Sequence, residues 1–265
     1  MDKWEARLPV QLKEDTMHIR VILPVTTASW VEGTKKSYAA AARPSTEISV
    51  VPLDWGTASI ECHRDESLVI PDIITKAVEA EAEGVDGLII DCMADPGLDA
   101  ARELVDIPVV GPAQASMHLA ATLAHRFSVL VISEGDIVAV DHQAARYGLS
   151  RRLASARPIN VAVLDLEENP DATLQALVAA GQKAVEEDGA HILIPGCTGL
   201  AGWAPRIAAS LAERGCEVGV LDPPSVAVKL AETLVDLGMT HSRLTYPRPP
   251  RKEIRWPWDT PLGNG

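Results

Sequence analysis

The chain has only four cysteines in 265 residues, and none forms a CxxC pair or stands in a close Cys/His cluster. That sparseness supports neither a disulfide framework nor a zinc site, and in a reducing compartment it predicts free thiols. His63, His118, His125 and His142 likewise share no spacing that suggests metal binding. Positive charge is short as well: 24 Lys and Arg stand against 37 Asp and Glu, for a formal net charge of −13. Nucleic acid and anionic membrane surfaces are therefore poor partners. No run approaches the ~18 consecutive apolar residues of a membrane span. The opening stretch from Met1 to Arg7 lacks the apolar h-region of a signal peptide. The expectation is a cytoplasmic protein whose partner is a small-molecule substrate. At 47% hydrophobic residues the chain can bury a core, and its length suits one large domain or two of roughly 100 to 150 residues.

What the chain does have is a repeat centred on two cysteines. Gly84–Cys92 (GVDGLIIDC) and Gly189–Cys197 (GAHILIPGC) each run from a glycine through a short apolar stretch to a cysteine eight positions on. The two cysteines are 105 positions apart. The repeat continues on both sides. Residues 19–27 (IRVILPVTT) parallel 127–135 (FSVLVISEG), and 48–55 (ISVVPLDW) parallel 159–166 (INVAVLDL). After each cysteine come a helical stretch and a further apolar run, 107–112 (IPVVGP) and 218–223 (VGVLDP), which lead into helices over 115–125 and 225–237.

Short Val/Ile/Leu runs alternating with helical patterns predict parallel sheets covered by helices on both faces. The fold class expected is α/β, in two pseudo-symmetric doubly wound lobes of about four strands each, with the site in the cleft between them. The first lobe is predicted over residues 16–113 plus 217–245 and carries Cys92. The second is predicted over 114–216 and carries Cys197. A proline-rich C-terminal arm, 246–265, holds Trp256 and Trp258 and reads as a packing arm. Ligands in open α/β sheets bind beyond the carboxyl ends of the strands, where both cysteines fall. Cys62 and Cys216 lack that context and read as incidental.

Turn-forming residues follow each cysteine, and exposed amides together with a helix dipole would lower a thiol's pKa. A thiolate on one face of a carbon acid and a thiol on the other exchange protons at both faces, which is the chemistry of a racemase without a cofactor. The backbone of Thr198 and Gly199 is placed to stabilise the enolate. Gln114, at a strand end in the layer of Cys92, is a candidate ligand contact. His191 reads as a core histidine, Glu61 as a solvated loop carboxylate, and the acidic run 78–83 as a solvated helix face.

The motifs around Cys92 (residues 91–103, DCMADPGLDAARE), 107–111 (IPVVG), 126–129 (RFSV) and 194–199 (IPGCTG) resemble the aspartate/glutamate/hydantoin racemase superfamily, nearest its hydantoin and allantoin branch. The resemblance runs from about Ile19 to Thr245. It implies a two-lobe α/β fold, no metal or organic cofactor, Cys92 and Cys197 as paired acid and base, and a homo-oligomer. The chain departs from the family in several places. Leu23–Thr27 (LPVTT) replaces the usual Asn-Pro-Asn-Thr, Met93 and Ala94 replace a common Phe-Gly, and Ser133 stands where threonine is common. Thr26 and Thr27 remain able to bind a carboxylate or imide. The expected function is a cofactor-independent racemase or epimerase acting on a 5-substituted hydantoin, allantoin or an amino-acid-like compound. The alternatives are a maleate-type cis-trans isomerase or cofactor-free decarboxylase of the same superfamily and, outside enzymes, a small-ligand binding protein.

Overall fold

The computed structural model describes residues 16–166, 168–250 and 252–253. Its first sheet contains β1 (Met17–Leu23), β2 (Thr46–Pro52), β3 (Gly87–Ile90) and β4 (Val109–Val110) in the order β2-β1-β3-β4. The second contains β5 (Phe127–Val131), β6 (Leu153–Pro158), β7 (Ile192–Pro195) and β8 (Gly219–Val220) in the order β6-β5-β7-β8. All the pairings are parallel, and the two sheets have the same strand order. The helices are α1 (Val31–Ala41), α2 (His63–Ala82), α3 (Leu98–Leu104), α4 (Pro112–Leu123), α5 (Asp136–Arg146), α6 (Pro170–Glu186), α7 (Ala204–Glu213) and α8 (Pro223–Asp236).

Each sheet is apolar on both faces because its side chains alternate between two cores. On β5, Phe127, Val129 and Val131 enter one core with Met117 of α4, while Leu130 enters the other with Leu177 of α6 and Ile207 of α7. In the first sheet, Ile19 and Val21 face Ala227 and Ala231 of α8, while Ile22 faces Val69 and Ile73 of α2. The two halves are joined by α4. Its Ala113, Met117 and Ala120 pack with β5, and Ala115 packs with α8.

Residues 159–166 do not form the expected strand. β6 lies earlier, with Phe127 opposite Leu153 and Val131 opposite Pro158. It is an edge strand of half-buried residues, so it lacks an apolar signature. Its Arg157 pairs instead with Asp188 and Glu187. The chain leaves the sheet at Asn160, whose φ of 54° is incompatible with a strand. Val161 and Val163 owe their apolar character to packing on the core beside the sheet.

Two smaller expectations also change. β8 pairs with β7, so the chain past residue 216 still belongs to the second sheet, and it returns to the first only with α8. The ladder prevails there over the apparent boundary because Leu221 N–H donates to the Leu193 carbonyl at 2.9 Å. His191 is exposed rather than in the core, since it precedes the first buried residue of β7. Of the C-terminal arm, Arg248 reaches the Leu104 carbonyl and the Asp106 carboxylate, so its described part docks on its own lobe. Trp256 and Trp258 lie outside the described residues.

Candidate active site

Each cysteine follows a strand that ends in the same way. The Asp91 N–H donates to the Ile22 carbonyl of β1 at 2.9 Å, and the Gly196 N–H donates to the Leu130 carbonyl of β5 at 2.8 Å. Cys92 and Cys197 are the next residues, so the repeat places the two thiols two residues beyond the ends of β3 and β7. At Gly196 a β-carbon would lie 2.7 Å from the Leu130 oxygen and 3.0 Å from the Val131 Cα. Only glycine fits there.

The two loops meet. Thr198 Oγ1, beside Cys197, donates to the carbonyl oxygen of Asp91, beside Cys92, at 3.3 Å. Cys197 stands close enough to resist ionisation of Cys92, a contribution smaller than that of burial. Two cavities of about 510 and 300 Å³ open from the pair, and Cys92, Cys197, Thr198, Ile60 and Val163 line both. The larger reaches between Met117, Val129, Val131 and Val140, all buried, and its rim carries Glu61, Ser133 and Asp136. The smaller is bounded by Ser29, Thr34, Ser37, Tyr38 and Asp91.

Backbone amides face both sulfurs. The Ala94 N–H donates to Cys92 Sγ at 3.4 Å, and the Gly199 N–H does the same for Cys197. These amides favour the thiolate, but burial outweighs them. It pushes the Cys197 thiol up to about 12 and the Cys92 thiol well above the ordinary value. The expected lowering is thus overturned, for two reasons. A three-residue 3₁₀ turn, Thr198–Leu200, follows Cys197, and α3 begins only at Leu98. Neither cysteine is therefore followed directly by the first turn of an α-helix. The carboxylates that weigh on them, Asp91 and Asp95 on Cys92, and Asp91, Asp136 and Glu61 on Cys197, push in the same direction as burial.

Of the other residues singled out in the sequence, Met93, Ala94 and Ser133 line the larger cavity, Gly199 lines the smaller, and Thr198 lines both. Ser133 is held by Asp136, whose carboxylate accepts from its N–H at 2.8 Å and its hydroxyl at 3.0 Å. Thr26 and Thr27 line neither cavity. They tie the β1 loop to the 57–58 segment, through Thr26 N–H to Thr57 O at 3.0 Å and Thr27 Oγ1 to Ala58 O at 2.7 Å. Gln114 is also turned away, and its Oε1 accepts from Arg102 at 2.7 Å. Cys62, read as incidental, is an exposed residue of the larger cavity's wall, whereas Cys216 is core. Glu61 is exposed and lines the same wall. Among the described residues no group of three or more His, Cys, Asp or Glu side chains is placed to hold a metal ion.

Sequence reasoning missed the two carboxylates that flank Cys92. Asp91 is buried and accepts from the Tyr38 hydroxyl of α1 at 2.8 Å. Asp95 is 1% exposed and accepts from the N–H groups of Ala113 (3.1 Å) and Gln114 (2.8 Å) and from the Tyr147 hydroxyl (2.6 Å). It thereby closes the first turn of α4 and links the Cys92 loop to the second half. Gln143 adds a bond to the Met93 carbonyl at 2.7 Å. A β-carbon at Gly111 would collide with the Asp95 carboxylate. The only visible signal was the Asp95-Pro96-Gly97 turn, where Asp95 itself adopts a φ of 49°.

Comparison with known proteins agrees with this arrangement. The family model described as Asp/Glu/Hydantoin racemase matches residues 19–231. The chain is 41% identical over 238 residues to a hydantoin racemase of Pseudomonas sp. (strain NS671), covering 89% of this chain and 94% of that protein. It is 34% identical over 235 residues to a hydantoin racemase of Rhizobium meliloti, covering 88% and 95%. Among solved structures, the allantoin racemase of Pseudomonas fluorescens superposes with a TM-score of 0.85 at 32% identity, covering 91% of this chain and all of the other. Unliganded arylmalonate decarboxylase, with a TM-score of 0.54 at 17% identity over 82% of this chain and 93% of the other, shares the fold. The duplicated sheet order, the paired strand-end cysteines and a family match spanning both repeats lead to one conclusion: this chain belongs to the Asp/Glu/hydantoin racemase family.

Proposed function

We propose that this protein is a racemase or epimerase that needs neither metal nor organic cofactor and uses Cys92 and Cys197 as an acid and base pair on a carbon acid. The observation that carries this is the equivalent placement of the two cysteines at the ends of β3 and β7, with Thr198 bridging their loops and both thiols lining the same cavities. One sulfur, as thiolate, takes the proton from one face of the stereocentre, and the other, as thiol, gives one to the opposite face. The turnover leaves the first sulfur as thiol and the second as thiolate, so the pair is set for the opposite enantiomer until a proton passes back.

The substrate favoured is a 5-substituted hydantoin or an allantoin-type ureide. The charged groups that weigh most on the sulfurs are carboxylates. They repel the free carboxylate of an amino acid and tolerate a neutral ring. The relatives at 34% to 41% identity are named hydantoin racemases. We take the enzyme to work on this small molecule as a cytosolic homo-oligomer, and light scattering in solution tests the assembly.

The test is proton NMR in D₂O, with optical rotation followed alongside, on single enantiomers of 5-substituted hydantoins, allantoin, aspartate and glutamate, plus maleate and a substituted malonate. Loss of the stereocentre signal together with rotation, for a hydantoin or allantoin, supports the proposal. Isomerisation of maleate or loss of CO₂ from the malonate, with no exchange at any stereocentre, transfers the chain to the isomerase or decarboxylase chemistry of the same fold.

A further inference from the structure

The repeat is symmetric in backbone and asymmetric in charge. Asp91, at −1 from Cys92, is 6% exposed, and Asp95, at +3, is 1% exposed. At −1 from Cys197 stands Gly196, where the Leu130 and Val131 backbone leaves no room for a side chain. Besides Asp91, which stands near both thiols, the carboxylates facing Cys197 are Glu61, which is exposed, and Asp136, which is half-buried at the start of α5. Water screens these two, whereas the pair around Cys92 is shielded from it.

Given the two-cysteine reading above, on which this rests, we propose that the buried carboxyls Asp91 and Asp95 assign the chemical roles in the empty site: they hold Cys92 as the thiol, so that Cys197 is the base. Asp91 and Asp95 are positioning residues here, acting on the reaction through the sulfur between them. Asp91 is fixed by Tyr38, and its own carbonyl takes the Thr198 hydroxyl, so its charge stands near both thiols. Asp95 is fixed by the start of α4 and by Tyr147, and it acts on Cys92. The other titratable groups around this cluster are Glu61 and Asp136, which act on Cys197, Asp222 at the start of α8, which acts on Tyr38, Arg102, which acts on Asp95, and Arg146, which acts on Tyr147 and shares the larger cavity's wall with His63 and His142. Arg102 weakens the charge of Asp95 without reaching Cys92 itself, so the buried carboxylates remain the charges that weigh on that sulfur. The unliganded enzyme then receives first the enantiomer whose acidic C–H points at Cys197, and the opposite enantiomer must wait for the proton to change sulfurs.

The experiment is alkylation of the whole protein by iodoacetamide at a series of pH values, with each cysteine followed by peptide mass spectrometry. The pH midpoint of modification is independent of how easily the reagent reaches a site. Wild-type protein is expected to show a lower midpoint at Cys197 than at Cys92. Asp91→Asn keeps an acceptor for Tyr38 and removes one negative charge. It should raise the thiolate fraction of both cysteines about tenfold per pK unit, and the rate about three- to fourfold once the weaker nucleophile is allowed for. The order of the two midpoints should survive, because Asp95 remains. A Cys92 midpoint at or below that of Cys197 in the wild type overturns the assignment without any variant. Cys92→Ser and Cys197→Ser separate the two levels: full racemisation by either removes the two-cysteine chemistry itself, whereas loss in both with an inverted midpoint order removes only the roles assigned here.

Discussion

Replacing Gly196 by alanine is the most direct probe of how tightly the fold holds Cys197. The new β-carbon would sit 2.7 Å from the Leu130 carbonyl oxygen and 3.0 Å from the Val131 Cα, and both are backbone atoms of the central strand. Neither can rotate away, so the β7 end must move roughly 0.7 Å to reach ordinary contact. Overpacking of this kind costs about 1–3 kcal/mol. For a chain of this size that is a fall in Tm of roughly 2–12 °C. The same shift displaces the sulfur at the next residue. Since a misplacement of ~1 Å costs about 10²-fold in rate, a shift of roughly 0.7 Å should lower kcat about 10- to 30-fold. Thermal unfolding followed by circular dichroism and polarimetric turnover of the hydantoin or allantoin substrate give the two numbers. Gly33→Ala is the stability control, because Gly33 lies in α1 with nothing within 4 Å of its would-be β-carbon. There alanine should raise helix stability by up to about 1 kcal/mol. A Gly196→Ala protein with wild-type Tm and wild-type kcat would refute the account of the strand end.

Serine at position 92 or 197 should lower racemisation by roughly 10² to 10⁴-fold, while leaving one-sided exchange of the substrate proton with D₂O, seen by NMR. Tyr147→Phe strips one donor from the buried Asp95 carboxylate and should destabilise the fold by about 1–3 kcal/mol, read as a lower urea midpoint. His241 Nε2 accepts the Val109 N–H at 2.8 Å, and burial pushes its pKa down to about 4. The unfolded chain therefore binds this proton at higher pH than the folded one, so stability from this contact is full above the ordinary histidine pKa of about 6.5 and is lost as pH falls toward 4. His241→Gln should flatten the urea midpoint against pH over that window relative to wild type. Asp91 and Asp95, raised by burial to about 6, act in the opposite direction, because the folded protein holds their protons more tightly. Their contribution is present at low pH and lost as pH rises through about 6. It is common to both proteins and cancels in the comparison.

The sequence alone determined the duplication, the parallel α/β class and the placement of Cys92 and Cys197 at equivalent strand ends. These follow from local properties: apolar runs too continuous for one-sided sheets, a glycine eight residues before each cysteine, and turn residues after it. Tertiary structure decided what surrounds the sulfurs. The strand expected over 159–166 became a cavity wall because β6 pairs five to six residues earlier in the chain, a register that only the partner strand β5 sets. Thr26, Thr27 and Gln114 carry the right chemistry for a ligand, yet their hydrogen bonds are taken up by the 57–58 loop and by Arg102. Asp91 and Asp95 were in plain view beside Cys92, but their burial depends on Tyr38, Ala113 and Tyr147, which arrive from α1, α4 and the end of α5. Whether burial or backbone amides prevail at a thiol is likewise a balance of long-range packing against a local contact. The local contact is legible from sequence, and the packing that outweighs it exists only once the two halves are folded together.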